Sequence, residues 1–174
     1  MSGIGLTRNQ LTGLGLLAAA LVLAADQGSK FWVLEALHLE AAGSIVLLPV
    51  LNLTMVWNRG ITFGLLTADG ARGSLLLAAV ALAVVGALGV WLRRAEGRLV
   101  AIAIGVISGG AVGNVIDRLR YGAVVDFIHA HAGGWSWYVF NFADAAIVCG
   151  VAALVLDGFR GRRREPLAAE APPR

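Results

Sequence analysis

The sequence predicts an all-α membrane bundle of four transmembrane helices, with a small extracytoplasmic β-sheet between helices 1 and 2. Three observations carry this reading. Of 174 residues, 58% are hydrophobic and only 14% charged, with mean hydropathy +0.77, whereas a soluble domain carries about 25% charged residues. Four stretches, residues 11–34, 73–92, 99–116 and 137–156, approach the roughly 20 apolar residues that cross a bilayer as helix. Between the first two lies a segment whose Ile, Val, Leu and Thr content reads as short strands. In lipid each span must satisfy its own backbone hydrogen bonds, which favours helices over open strands.

The first span follows Arg8 and an apolar run to Ala24-Ala25, a layout that mimics a cleavable secretory leader. Apolar character resumes at Phe31-Trp32-Val33-Leu34 after Asp26-Gln27-Gly28-Ser29-Lys30, so the segment is expected to stay as a full span. The external segment, about 35–72, holds the strand-like residues 44–56. It runs into Trp57-Asn58-Arg59-Gly60-Ile61-Thr62-Phe63-Gly64, where an Asn and glycines predict a tight turn or bulge. Trp57 and Phe63 suit the headgroup level. The second span carries no charge between Gly73 and Leu92.

In the third span Gly105, Gly109 and Gly113 recur every fourth residue with Gly110 alongside, giving a face open to close helix contact. Asn114, Asp117 and Arg118 follow at i, i+3 and i+4, on one face of the helix end, as an interfacial ion pair or as part of a polar network. An external loop, about 117–136, carries Asp126, His129 and His131. The fourth span places Asn141 one turn from Asp144 and holds the single Cys149 among apolar neighbours, a small packing residue. Residues 1–159 are expected to form the bundle domain, and the Arg-, Glu- and Pro-rich residues 160–174 a disordered cytoplasmic tail.

Basic residues orient the bundle. Arg8, Arg93, Arg94, Arg98, Arg160, Arg162, Arg163, Arg164 and Arg174 share one side, outnumbering Lys30, Arg59, Arg72, Arg118 and Arg120 on the other. The positive-inside rule puts both termini in the cytoplasm and both long loops outside. These residues flank spans and form no separate patch, which argues against nucleic-acid binding.

Asp126 and Asp144 are the chemically informative pair. Ionisable groups at membrane depth are costly and mark function, and two converging carboxylates share a proton. Such a pair performs acid–base chemistry: the charged member activates water and the protonated member polarises a carbonyl. The oxyanion falls to Asn141 or to backbone amides. A serine protease lacks support, because Ser74 and Ser108 have no membrane His and His129 lies in a loop. A proton-coupled transporter predicts midplane acids and an internal repeat; here the acids cluster at the outer ends and no repeat is visible. Purely structural ion pairing with Lys30 and Arg118 accounts for Asp26 and Asp117 better than for Asp126 and Asp144. His129 and His131, at i, i+2 with no third ligand nearby, make a poor zinc site.

The ordered set Asp26-Gln27-Gly28-Ser29-Lys30, Asn58-Arg59-Gly60-Ile61-Thr62-Phe63-Gly64, Gly109-Gly110-Ala111-Val112-Gly113-Asn114-Val115-Ile116-Asp117-Arg118, Val124-Val125-Asp126-Phe127 and Phe140-Asn141-Phe142-Ala143-Asp144 resembles the lipoprotein signal peptidase (signal peptidase II) family across nearly the whole chain. Gly60-Ile61-Thr62-Phe63-Gly64 departs from the family's more usual Gly-Ala-Ala-Phe-Ser, in the substrate-facing loop. The resemblance implies an intramembrane aspartic endopeptidase of the bacterial cytoplasmic (inner) membrane, with the active site toward the outer face. It would cut diacylglyceryl-modified prolipoproteins just before the lipid-modified cysteine. The positions matching the family's dyad are Asp126 and Asp144. Asn58, Gly60, Phe63, Asn114, Arg118 and Asn141 match substrate-binding or supporting positions, and Asp26, Lys30 and Asp117 structural ones. The partners implied are the prolipoprotein and membrane lipids, with no cofactor, no metal and no nucleic acid, and the chain is expected to act as a monomer.

Overall fold

Residues 6–60 and 71–162 are described by the structure, a computed structural model. Helix α1 (Arg8–Phe31) opens on a capping box in which Thr7 and Gln10 satisfy each other's backbone N–H groups. It continues as a π-helical turn, Trp32–Ala36, into the short helix α2 (Leu39–Ala42). Strands β1 (Ser44–Leu48) and β2 (Leu51–Asn58) follow, then helices α3 (Ala71–Leu92) and α4 (Arg98–Tyr121). Strands β3 (Val124–Ala132) and β4 (Trp135–Ser136) lead into helix α5 (Phe142–Arg162). Among the described residues, four helical stretches, Arg8–Ala36, Arg72–Leu92, Arg98–Tyr121 and Phe142–Phe159, are long and apolar enough to cross a membrane.

Helix α4 is the hub, packing against α1, α3 and α5. Its glycines explain why. A Cβ at Gly105 would collide with the Gly15 backbone and one at Gly109 with the Ala19 backbone, while one at Gly110 would meet Ala143 of α5. Hydrophobicity does not drive helices together in lipid, so close packing of this kind does. The last member of the stripe differs: a Cβ at Gly113 would run into the Asp26 carboxylate. At the end away from the sheet, Leu11, Leu92, Ala95, Ala101 and Ile104 form an apolar cluster joining α1, α4 and the end of α3.

The antiparallel sheet has strand order β1-β2-β3-β4. Leu53 pairs with Ile128 and Val56 with Asp126, so β2 carries one extra residue there, a bulge beside Asp126. Gly133 and Gly134, at φ 54° and 83°, supply the two positive-φ residues of the β3–β4 turn. Val33, Leu39, Leu53, Val125 and Phe127 bury together and seat the sheet on the π-helical turn and α2.

Several boundaries correct the sequence expectations. Helix α4 runs past Ile116 to Tyr121, which keeps Asn114, Asp117 and Arg118 on the helix end as expected and moves the start of the loop expected from 117. Arg118 and Arg120 in its last turn favour the helix C-terminus, and Gly122 at φ 72° ends it. The expected loop at 117–136 is mostly strand: the β-branched and aromatic neighbours of Asp126 pair with β2. The fourth span starts at Phe142 rather than Trp137, because Phe140 bridges Ile128 in the sheet. Helix α5 extends to Arg162, so residues 160–162 are helical; residues 163–174, with the rest of the expected tail, lie outside the described residues. Cys149 is exposed on α5, not packed. Phe63 lies outside the described residues.

Candidate active site

Asp126 enters the site from β3, 1% exposed. Its Oδ2 accepts from Asn58 Nδ2 at 2.9 Å and its Oδ1 from Asn141 Nδ2 at 2.7 Å. Asn58 is the last residue of β2, brought there by the bulge, and its Oδ1 accepts the Gly60 N–H at 3.2 Å in an Asx turn. Burial pushes the Asp126 carboxyl up to about 6, with the neighbouring Asp144 charge adding and the two amides and Lys30 opposing.

Asp144 arrives from the first turn of α5. Asn141 caps that helix: its Oδ1 accepts the Asp144 N–H at 3.0 Å, while Asp144 Oδ2 accepts the Asn141 N–H at 3.1 Å. This is a capping box with Asp in the place usually taken by Glu or Gln. Asp144 Oδ1 accepts from Asn114 Nδ2 at 2.8 Å. One residue, Asn141, therefore holds both carboxylates, Asp126 by its side chain and Asp144 by its backbone. Its remaining amide hydrogen goes to Asn114 Oδ1 at 3.1 Å, so both are already engaged.

Below this layer sits a buried ionic cluster. Lys30 Nζ lies 2.8 Å from Asp26 Oδ2 and 2.7 Å from Asp117 Oδ2, and donates to Asn114 Oδ1 at 3.0 Å. Gln27 Nε2 donates to Asp117 Oδ1 at 3.0 Å and Asp26 Oδ2 at 3.2 Å. Asp117 is thus paired with Lys30 rather than with Arg118. Arg118 Nη1 donates to the Asn114 carbonyl at 3.3 Å, and its buried Nε has no partner among the described residues. Asp144 and Asp126 both act on Arg118 electrostatically. A cleft of about 500 Å³ opens onto Asp126, lined also by Val56, Asn58, His129, Trp137 and Tyr138.

Residues 18–160 match the family model described as signal peptidase (SPase) II. The chain belongs to the signal peptidase II family. A relative from Methylorubrum extorquens (strain PA1), a lipoprotein signal peptidase, is 53% identical over 152 residues, covering 87% of this chain and 89% of its own. Another from Methylobacterium sp. (strain 4-46) is 51% identical, covering 83% and 87%. A bacterial membrane enzyme solved by the in meso method superposes with TM-score 0.75 at 26% identity, over 88% of this chain and 93% of that one. With its four apolar helices, this signal peptidase II family member is a multi-pass membrane protein.

The signal peptidase II motifs converge in space. Asp126, Asp144, Asn58, Asn114 and Asn141 form one hydrogen-bonded set, with Arg118 beside it and Asp26, Lys30 and Asp117 beneath. Gly60 touches the set only through its N–H. Gln27 and His129 were assigned no role from sequence. Gln27 adjoins Asp26 in a membrane segment, a polar neighbour that signals the cluster. His129 lines the cleft with Nε2 2.6 Å from Ser136 Oγ and Nδ1 3.4 Å from Thr54 Oγ1; the pairing of β3 with β4 on one side and β2 on the other brings these partners near.

Proposed function

We propose that this chain is an intramembrane aspartic endopeptidase that removes the signal peptide from diacylglyceryl-modified prolipoproteins, cutting before the lipid-modified cysteine. The observation that carries the reading is Asn141 holding Asp126 and Asp144 together, one from a strand and one from a helix, beside an open cleft. The relatives named lipoprotein signal peptidase support the substrate class.

Asp126, whose proton is held by burial, donates to the scissile carbonyl oxygen, while Asp144 takes a proton from water. The water oxygen bonds to the carbonyl carbon. On collapse the C–N bond breaks, the amine takes its proton from Asp144, and Asp126 regains its own as the acid product forms. Asn141 has no amide hydrogen left for the carbonyl oxygen, which leaves Arg118, a cation beside the dyad, to stabilise the negative charge that develops there as the proton of Asp126 arrives. The arginine distribution supports an orientation with both termini in the cytoplasm and the dyad toward the outer face of the bacterial cytoplasmic membrane. One chain supplies every residue of the set, which suits a monomer.

The test is incubation of detergent-solubilised protein with a lipid-modified and an unmodified prolipoprotein. The modified substrate alone should be cut; equal cleavage of both, or of neither, rejects the reading.

A further inference from the structure

The acid–base reading leaves three buried charges without a task. Asp26, Lys30 and Asp117 are 0%, 3% and 1% exposed. Buried ion pairs are poor sources of stability compared with apolar packing, so their presence calls for another account.

Each acid accepts a second kind of bond. Asp26 Oδ1 accepts the backbone N–H of Ala143 at 3.0 Å, and Asp117 Oδ2 accepts that of Val125 at 3.2 Å. Ala143 immediately precedes Asp144, and Val125 immediately precedes Asp126. Two acids on different helices thus grip the equivalent peptide, one residue before each reacting carboxylate. Lys30 ties the two grips together and reaches the dyad by a third route, through Asn114 to Asp144 Oδ1. Room is kept for this: only a residue without Cβ at position 113 leaves space for the Asp26 carboxylate.

We propose that Asp26 and Asp117 are paired positioning residues that, through Lys30, fix the separation of Asp144 and Asp126 by holding the peptide N–H ahead of each. The inference rests on the dyad reading. It assigns the cluster to turnover rather than to substrate affinity, since none of its members lines the cleft beside Asp126.

The experiment uses the full chain with Asp26→Ala, Asp26→Asn, Asp117→Ala and Asp117→Asn, and Asp126→Asn as control, assayed on a lipid-modified prolipoprotein. Alanine removes the acceptor yet leaves Lys30 paired with the other acid, so no lone charge is buried. Asparagine keeps a carbonyl oxygen for the N–H. Misplacing a reacting group by about 1 Å costs on the order of 100-fold. Each alanine variant should therefore lose about 30- to 100-fold in kcat with KM changed by less than about twofold. Each asparagine variant should recover to within about tenfold of wild type. Wild-type kcat in the alanine variants, or asparagine variants as slow as alanine, overturns the proposal. Where an alanine variant does not fold, its asparagine counterpart decides alone: kcat within about tenfold of wild type supports the grip, and a larger loss overturns it. An active Asp126→Asn control sinks the dyad reading itself, whereas an inactive control beside fully active alanine variants removes only the present inference.

Discussion

The interface between α1 and α4 is built from one spacing of small residues and ends in two different chemistries. At Gly105 the missing side chain lets the α4 backbone lie on that of Gly15, above an apolar cluster of Leu11, Leu92, Ala95, Ala101 and Ile104. At Gly113, two turns on, the same absence houses a carboxylate, with Lys30, Asp117 and the paired aspartates beyond it. Spacing alone does not say whether a glycine serves adhesion or lodges a charge. What stands opposite decides.

The largest effects should fall at the charged end. Asp126→Asn and Asp144→Asn each remove half of the proposed proton-sharing pair and should lower cleavage by about 10²- to 10⁴-fold while the protein still inserts. Wild-type rates in either variant would refute the dyad. Next in size, Gly113→Ala should slow turnover per folded molecule, because its methyl displaces Asp26. Gly105→Ala should instead cost about 1–3 kcal/mol of stability through overpacking, with turnover per folded molecule unchanged. Thermal unfolding in detergent and active-site-normalised rates separate the two, and equal losses of turnover would erase the contrast.

The smallest effect is a shift of pH dependence. With Asp126 near 6, kcat/KM should fall as pH rises through about 6 and the required proton is lost. The Asn58 amide favours the charged form, so Asn58→Ala should move that midpoint upward; a downward move contradicts the assigned hydrogen bond. The folded value lies above the ordinary 3.8, so Asp126 gains proton affinity on folding. Its contribution to stability is therefore complete below about pH 4 and lost as pH rises through about 6.

The spans were legible because a bilayer imposes length and apolarity on each helix separately. Helix α3 was expected at 73–92 and runs Ala71–Leu92. The aspartates, with Asn114 and Asn141 at the helix ends, are legible as polar groups out of place in apolar surroundings, whereas Asn58 reads as a turn residue and joins the site only through the family resemblance. The elements that needed a distant partner were not. Asp126 read as a loop residue because β3 becomes a strand only by pairing with β2, some 70 positions earlier. Trp137–Phe140 read as helix because their apolar character suits either a membrane or a sheet, and Phe140 bridges to Ile128. Asp117 looked like a partner for Arg118, its neighbour on one helix face, but Lys30 of α1 takes it. Local spacing offers candidate pairs; burial between helices selects among them.

The ionic cluster also bears on how the chain assembles. Asp26 and Lys30 lie one turn apart on α1 and neutralise each other there, so that helix enters lipid with its charges already matched. The ion pair of Asp117 comes from a helix synthesised long before it. Since the ribosome delivers α1 ahead of α4, the cation is waiting in the bilayer when the later acid arrives, and the order of synthesis is also the order in which this membrane protein can settle its buried charge.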